Sequence, residues 1–396
     1  PVSQWWNKID TYGLMQGQSE YYIAKNSRGE QAIFHISNPD QPVTQWWQSI
    51  DLSGLVTGES SYYIAKNQKG EHAIFHKNNP SNPISQWWKN IYTFGLETKH
   101  SDYYMAQNHN GQYAIFHINN PNVPISQWWD TIEGYGLLKG QSEYYIATEQ
   151  NKNSAVFHID NQYEPISQWW YYIKPLGLIL GHSNYYIVEN QHLQYALFHK
   201  DNPNEPVSQW WEDINSFGLV ENKSEYFIAK NHQWECAIFH IDNPYQPISN
   251  WYSNIYPFGL IDGTSECYAI FIHNNSTIQI YHLIDKAQPL YELTNIYPNA
   301  LLYFNEQRAI YITNKHLMIY DRINMKHDVI GLLPEDMKDR IKETYNYSET
   351  YHFENNITYQ LISNYIKYNF LPIAINIKDH IHCDLYTLDQ GYIGRF

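Results

Sequence analysis

Cysteine is nearly absent: Cys236, Cys267 and Cys383 are the only three in 396 residues. An odd count without regular spacing excludes a disulfide framework, and no Cys-x-x-Cys or Cys/His spacing of a zinc site occurs. Basic charge is scarce as well. Lys and Arg total 25 against 40 Asp and Glu, a formal charge of −15. Binding a phosphate backbone needs clustered Lys and Arg, so nucleic acid is excluded as a partner class. No run approaches the ~18 consecutive apolar residues of a membrane span. No basic stretch followed by an apolar run opens the sequence either, so a cytoplasmic protein is expected. Catalytic signatures are missing too: there is no Gly-x-Ser-x-Gly, phosphate loop or His-Glu-x-x-His, and paired carboxylates do not recur at a fixed spacing. The expectation is a protein that is not an enzyme and needs no cofactor.

What is present is a repeat. The segment Pro-(Ile/Val)-(Ser/Thr)-Gln-Trp-Trp-x-x-Ile has its Gln at Gln4, Gln45, Gln86, Gln127, Gln168 and Gln209, and a seventh copy reads Asn250-Trp251-Tyr252, each on a 41-residue step. A fixed period of this size signals stacked supersecondary units rather than independent domains. Within the first unit, Tyr21-Tyr22-Ile23-Ala24-Lys25 and Ala32-Ile33-Phe34-His35 read as two strands around the turn Asn26-Ser27-Arg28-Gly29. Gly29 supplies the positive φ such a turn needs. Both strands are apolar on consecutive positions, which predicts a sheet covered on both faces. Eight such hairpins are expected, near 21–35, 62–76, 103–117, 144–158, 185–199, 226–240, 267–282 and 309–320, the last two degenerate.

The Gln-Trp-Trp segment is ambiguous. Trp46, Trp47 and Ile50 could form one face of a short helix capped by Thr44, or a third strand, which the aromatic and β-branched content favours. Gly54-Leu55 is expected to end that element. From about Leu332 the character changes, with a helix expected over 333–345 and short strands after it. The fold class is therefore an all-β repeat protein, a β-propeller of seven or eight blades built from 41-residue units. Residues 1–330 are assigned to the propeller and 331–396 to a small mixed α/β cap.

The layout resembles the bacterial WG-repeat propeller family. Gly111-Gln112-Tyr113-Ala114-Ile115-Phe116, then Pro124-Ile125-Ser126-Gln127-Trp128-Trp129-Asp130-Thr131-Ile132, then Gly136-Leu137 carry the resemblance, which covers roughly residues 1–325. The Trp-Gly dipeptide of that family is replaced by Tyr113-Ala114 here and by Gln31-Ala32 in the first unit. The resemblance implies a binding role and no particular function.

Three sets of residues could carry chemistry. His35, His76, His117, His158, His199 and His240 end the return strands, with His282 in a similar place. Equivalent positions on successive blades lie too far apart to share a metal ion, so these histidines are expected to fix the following Asn-Pro loop by hydrogen bonding. The aromatic pairs are the binding candidates: Trp5, Trp46, Trp87, Trp128, Trp169, Trp210 and Trp251, with Tyr21, Tyr62, Tyr103, Tyr144, Tyr185 and Tyr226. Trp and Tyr anchor interfaces and stack on sugars. His380, His382 and Asp384 would share one face of a strand, but no metal site is assigned to them.

A constant frame with variable positions at 7–8, 10–12, 15–16, 27–31 and their equivalents fits a protein-binding scaffold. A concrete version is an immunity-type neutraliser that covers a basic bacterial toxin, its acidity speeding capture. The alternative is a multivalent lectin with one aromatic site per repeat.

Overall fold

The computed structural model describes residues 6–51, 54–261, 263, 265–272, 276–296, 301–312, 316–332, 370–377, 380–387 and 391–395. The chain divides into two compact units, Pro1–Trp210 and Trp211–Phe396.

The architecture is mostly β, and its element is a three-stranded antiparallel sheet used repeatedly. The sheet around Tyr103 shows how the sequence builds it. The short strand Asn90–Tyr92 pairs with Tyr103–Gln107 (Ile91 opposite Ala106), and Tyr103–Gln107 pairs with Tyr113–His117 (Met105 opposite Ile115). The Asn108 carbonyl accepts from Gly111 N–H at 3.1 Å and its side-chain oxygen from Gln112 N–H at 3.0 Å, which closes the turn. Tyr104, Ala106, Ala114, Ile115 and Phe116 are fully or almost fully buried. Consecutive buried positions mean that both faces are covered, as the unbroken apolar runs predict. The hairpin strands begin at Tyr21, Tyr62, Tyr103, Tyr144 and Tyr185 in the first compact unit and at Tyr226 in the second.

Two local expectations need correction. The Gln-Trp-Trp segment is neither helix nor full strand. Trp47 makes a single antiparallel bridge to Gln31, with N–H···O distances of 2.8 and 2.9 Å, on the outer edge of the preceding sheet. Two residues later Ser49–Ile50 pairs with Tyr62–Lys66 as the edge of the next sheet. A chain that must leave one sheet and join another within three residues has no length for a ladder. The second correction concerns Gly54-Leu55, which opens an element instead of ending one. Gly54–Thr57 is a one-turn helix, matched by Tyr12–Met15, Phe94–Thr98, Tyr135–Leu138 and Phe217–Val220. A single turn is too short to show helical periodicity in sequence.

In the second compact unit the pattern changes. Cys267–Ile272 and Thr277–His282 form the hairpin, and the third strand, Tyr291–Thr294, follows it instead of preceding it. Leu301–Phe304, Arg308–Ile312, His316–Asp321 and Lys326–Leu332 make a four-stranded sheet. Both degenerate hairpins therefore exist. Phe370–Ile377, His380–Thr387 and Gly391–Arg395 form another antiparallel sheet. The helix expected over 333–345 lies outside the described residues.

Candidate functional site

The repeated side chains interlock. Phe116 sits in a nest of three other rings: Tyr104 stacked at 5.2 Å and 14°, Trp88 at 5.2 Å, and Trp128 edge-on at 5.9 Å. Trp88 and Trp128 belong to successive Trp pairs. In the pairs Trp46-Trp47, Trp87-Trp88, Trp128-Trp129 and Trp169-Trp170 of the first compact unit, the first Trp packs on the Phe of the sheet before it and the second on the Phe of the sheet after it. Trp46 lies 6.0 Å from Phe34, while its neighbour Trp47 lies 5.1 Å from Phe75. The dipeptide is a rivet between consecutive sheets. Each such ring pair adds about 0.5–1.5 kcal/mol beyond its buried area.

Polar repeats do the same. Ser101 Oγ donates to the Leu137 carbonyl at 3.0 Å and accepts from Tyr103 N–H at 3.2 Å. Ser19, Ser142 and Ser224 reach Leu55, Leu178 and Leu260 equivalently. Each bond ties a sheet to the segment that leads into its successor's hairpin, a one-turn helix at Leu55, Leu137 and Leu260 (Phe258–Ile261) and a turn at Leu178. Ser85 Oγ likewise accepts from Ile74 N–H at 3.0 Å, at the outer edge of its sheet.

The strand-ending histidines fix the loops that follow them. Nδ1 of His76, His117, His158, His199 and His240 accepts a backbone N–H two residues on, at 3.2–3.3 Å. An amide N–H can only donate, so a neutral ring carries its proton on Nε2. There it donates to Glu20 from His35 (3.0 Å), to Glu143 from His158 (3.2 Å) and to Glu225 from His240 (3.1 Å). Among the described residues no group of three His, Cys, Asp or Glu is placed to hold a metal ion. His380–Thr387 is a strand, so His380, His382 and Asp384 occupy alternate positions along it.

The binding candidates divide as follows. Trp5 lies outside the described residues. Trp46, Trp87, Trp128, Trp169, Trp210 and Trp251 are half-buried, and each contacts the Phe of the preceding hairpin at 5.9–6.0 Å. Tyr21, Tyr62, Tyr103, Tyr144, Tyr185 and Tyr226 are also half-buried, each edge-on to its cross-strand His at 4.8–5.2 Å. Burial, then Asp160, Glu143 and Asp102, push the Tyr103 phenol above its ordinary value. That orders the loop-end carboxylates around this ring.

A different set of residues is exposed. At the hairpin tip, Gly29, Gly70 and Gly111 adopt φ of +84°, +84° and +88°, and the equivalent Lys152, Leu193 and Trp234 keep the left-handed conformation at +73°, +60° and +62°. The turn hydrogen bond is kept as well, Leu193 N–H to Asn190 O at 3.0 Å and Trp234 N–H to Asn231 O at 2.9 Å. Leu193 is 58% exposed and Trp234 63%. Left-handed backbone costs an L-residue about 1–2 kcal/mol, and neither side chain is buried in return. Positions 27–31 and their equivalents vary along the repeats, and within them bulky residues stand in the glycine column. Lining up the repeats at Gly29 finds them. Leu193→Gly and Trp234→Gly are each expected to raise stability by about 1 kcal/mol, after the entropy glycine loses on folding, as read by denaturant midpoints.

Glu97 illustrates a strained site of another kind. Burial raises its carboxyl above the ordinary value; Thr93 Oγ1, donating to Oε1 at 2.5 Å, opposes this, and Asp51 adds to it. Because the folded pKa lies above the unfolded one, the ionised form carries a penalty at neutral pH. That penalty disappears as pH falls through the folded value to the ordinary ~4.3. Glu97→Gln keeps the acceptor, so it is expected to raise the melting temperature at pH 7 and to match the parent near pH 4 in thermal melts.

These features define a mostly-β repeat protein whose consecutive sheets share rings and hydrogen bonds, while the buried indole N–H groups of Trp47, Trp88, Trp129 and Trp170 have no hydrogen-bond partner among the described residues. No family model matches the chain, and no curated protein does, so the WG-repeat resemblance rests on layout alone. Among solved structures, a eukaryotic initiation factor is 8% identical with a TM-score of 0.39, covering 96% of each chain. Kluyveromyces lactis Hsv2 is 10% identical with a TM-score of 0.27, covering 80% of this chain and 95% of that one. Dihydro-heme d1 dehydrogenase NirN in complex with DHE is 8% identical with a TM-score of 0.28, covering 81% and 76%. Scores this low carry no functional argument. Among the described residues no helix is long and apolar enough to cross a membrane.

Proposed function

We propose that the chain is a non-enzymatic scaffold that binds a protein partner through residues displayed on its repeated frame. The observation that carries this is the left-handed tip. Leu193 and Trp234 hold exposed apolar side chains at φ of +60° and +62°, where the first three units have glycine. The Lys230 ammonium, 5.7 Å from the Trp234 ring centroid, contributes about 0.5–1 kcal/mol at an exposed site, less than the strain, and strained backbone is a mark of a functional position. Trp is also the commonest interface anchor.

The partner fits best as a basic protein, such as a basic toxin that the scaffold neutralises. Support comes from the formal charge of −15 and from the carboxylates beside the loop-fixing histidines. Glu143 and Asp160 are 74% and 86% exposed, and Glu225 and Asp242 are 74% and 87% exposed. Such charge speeds capture and weakens with salt. A sugar-binding role for the Trp and Tyr columns has less support, because those rings are packed on Phe and His. A closed ring of seven or eight blades belongs to the same proposal; a compact small-angle scattering profile would support it, and an elongated one would replace it with an open stack.

The test is capture by the immobilised protein from lysate and secreted fractions of its source, washed at low and moderate salt beside a competing sugar mixture. One stoichiometric protein that weakens with salt and ignores sugar is the expected result. Release of glycoconjugates by sugar would overturn the reading in favour of a lectin.

A further inference from the structure

We propose that the cavity beside Arg322, in the second compact unit, is a receptor for a carboxylate carried on an apolar body. The cavity measures about 470 Å³ and is lined by Leu290, Tyr291 and Tyr320 together with Arg322. That is within the size range of ligand sites. The Tyr291 and Tyr320 rings lie 5.1 Å apart and form an apolar wall.

Arg322 supplies the charge. It is half-buried, and Nη1 donates to the Glu306 carbonyl oxygen at 3.2 Å. Among the described residues no carboxylate pairs with it. The acids nearest in the chain are committed elsewhere. Asp321 accepts from Ile323 N–H at 2.8 Å and from the Asn324 side chain at 3.0 Å, and Glu306 accepts from Ser265 Oγ at 2.9 Å and Glu266 N–H at 3.0 Å. A guanidinium has five donors in a fork that matches a carboxylate, so most of its capacity is open.

The rim points the same way. Ile323 and Met325, on the turn that carries Arg322, are 76% and 81% exposed, and Met325 is held at φ of +49°. Exposed apolar side chains on strained backbone at the mouth of a cavity suit contact with an apolar ligand body. Glu292 also lines the cavity and accepts from Gln279 Nε2. One cation and one rim anion select a singly charged acid over a phosphate dianion.

Two sources share this chemistry, a free small acid and the C-terminal residue of a peptide. The probes are 3-phenylpropionate and a pentapeptide ending in Phe, each titrated into the full chain by calorimetry beside its amide. At least one acid is expected to bind saturably and at least tenfold tighter than its amide. Arg322→Gln should abolish this difference, and Glu292→Gln should tighten the acid. Binding of the small acid alone identifies a small-molecule site; tighter binding of the peptide identifies a chain terminus. If Arg322→Gln unfolds, Arg322→Lys, which keeps the charge and loses the fork, should weaken the acid severalfold. Failure of both acids to saturate overturns the proposal, as do equal binding of the amides and indifference to the Arg322 change in a folded variant.

Discussion

Replacing Gly95 with alanine is expected to destabilise the protein by on the order of 3 kcal/mol, a fall of roughly 4 °C in melting temperature for a chain of 396 residues. The residue opens the one-turn helix Phe94–Thr98, and a Cβ there would overlap the Leu138 carbonyl oxygen of the next one-turn helix. Gly13, Gly54, Gly136 and Gly218 meet the carbonyls of Val56, Glu97, Ile179 and Ile261 in the same way. The obstacle is backbone on both sides, so no rotamer change relieves it. Sheets would have to move apart, which would also stretch the hydrogen bond from Ser101 Oγ to the Leu137 carbonyl. Gly29→Ala makes the contrast. Its Cβ would meet only the Lys25 side chain at 3.5 Å, so its cost is the ~1 kcal/mol of left-handed backbone. Equal losses at Gly95 and Gly29 in denaturant melts would refute close approach as the reason for the Gly-Leu motif.

The second large effect is expected at Phe116. Phe116→Ala should cost about 3–5 kcal/mol, because the side chain is completely buried among Tyr104, Trp88 and Trp128. Trp88 and Trp128 come from successive pairs, so the cavity would open between two sheets. Tyr113, half-buried at the start of the same strand, is the control; truncating it should cost much less. Far-UV and near-UV melts on both variants decide the matter. A loss below about 1 kcal/mol at Phe116 would contradict the rivet.

The hairpins were legible because their signals are local. Asn108 and Gly111 mark the turn, and aromatic and β-branched runs flank it. The role of the histidines was legible for the same reason, since Nδ1 of His117 reaches only to Asn119 N–H. Trp46 and Trp47 were not legible as a rivet. Adjacent side chains of an extended segment point to opposite faces, but nothing in sequence says that these two faces belong to two different sheets. The helix Gly54–Thr57 was hidden by its length, and the contact of Gly54 with the Glu97 carbonyl exists only between units. The tip at Leu193 and Trp234 was visible in principle, because three glycines precede them in one column. What the sequence does not state is that the backbone keeps the glycine conformation after the glycine has gone.

The most direct test measures partner affinity and stability together in Leu193→Gly and Trp234→Gly. The account predicts that both variants melt later than the parent, by about 1 kcal/mol, while Trp234→Gly loses roughly 30-fold or more in affinity for the captured protein, the ~2 kcal/mol of an interface anchor. Unchanged affinity in variants that fold, or lower stability on installing glycine, would contradict it.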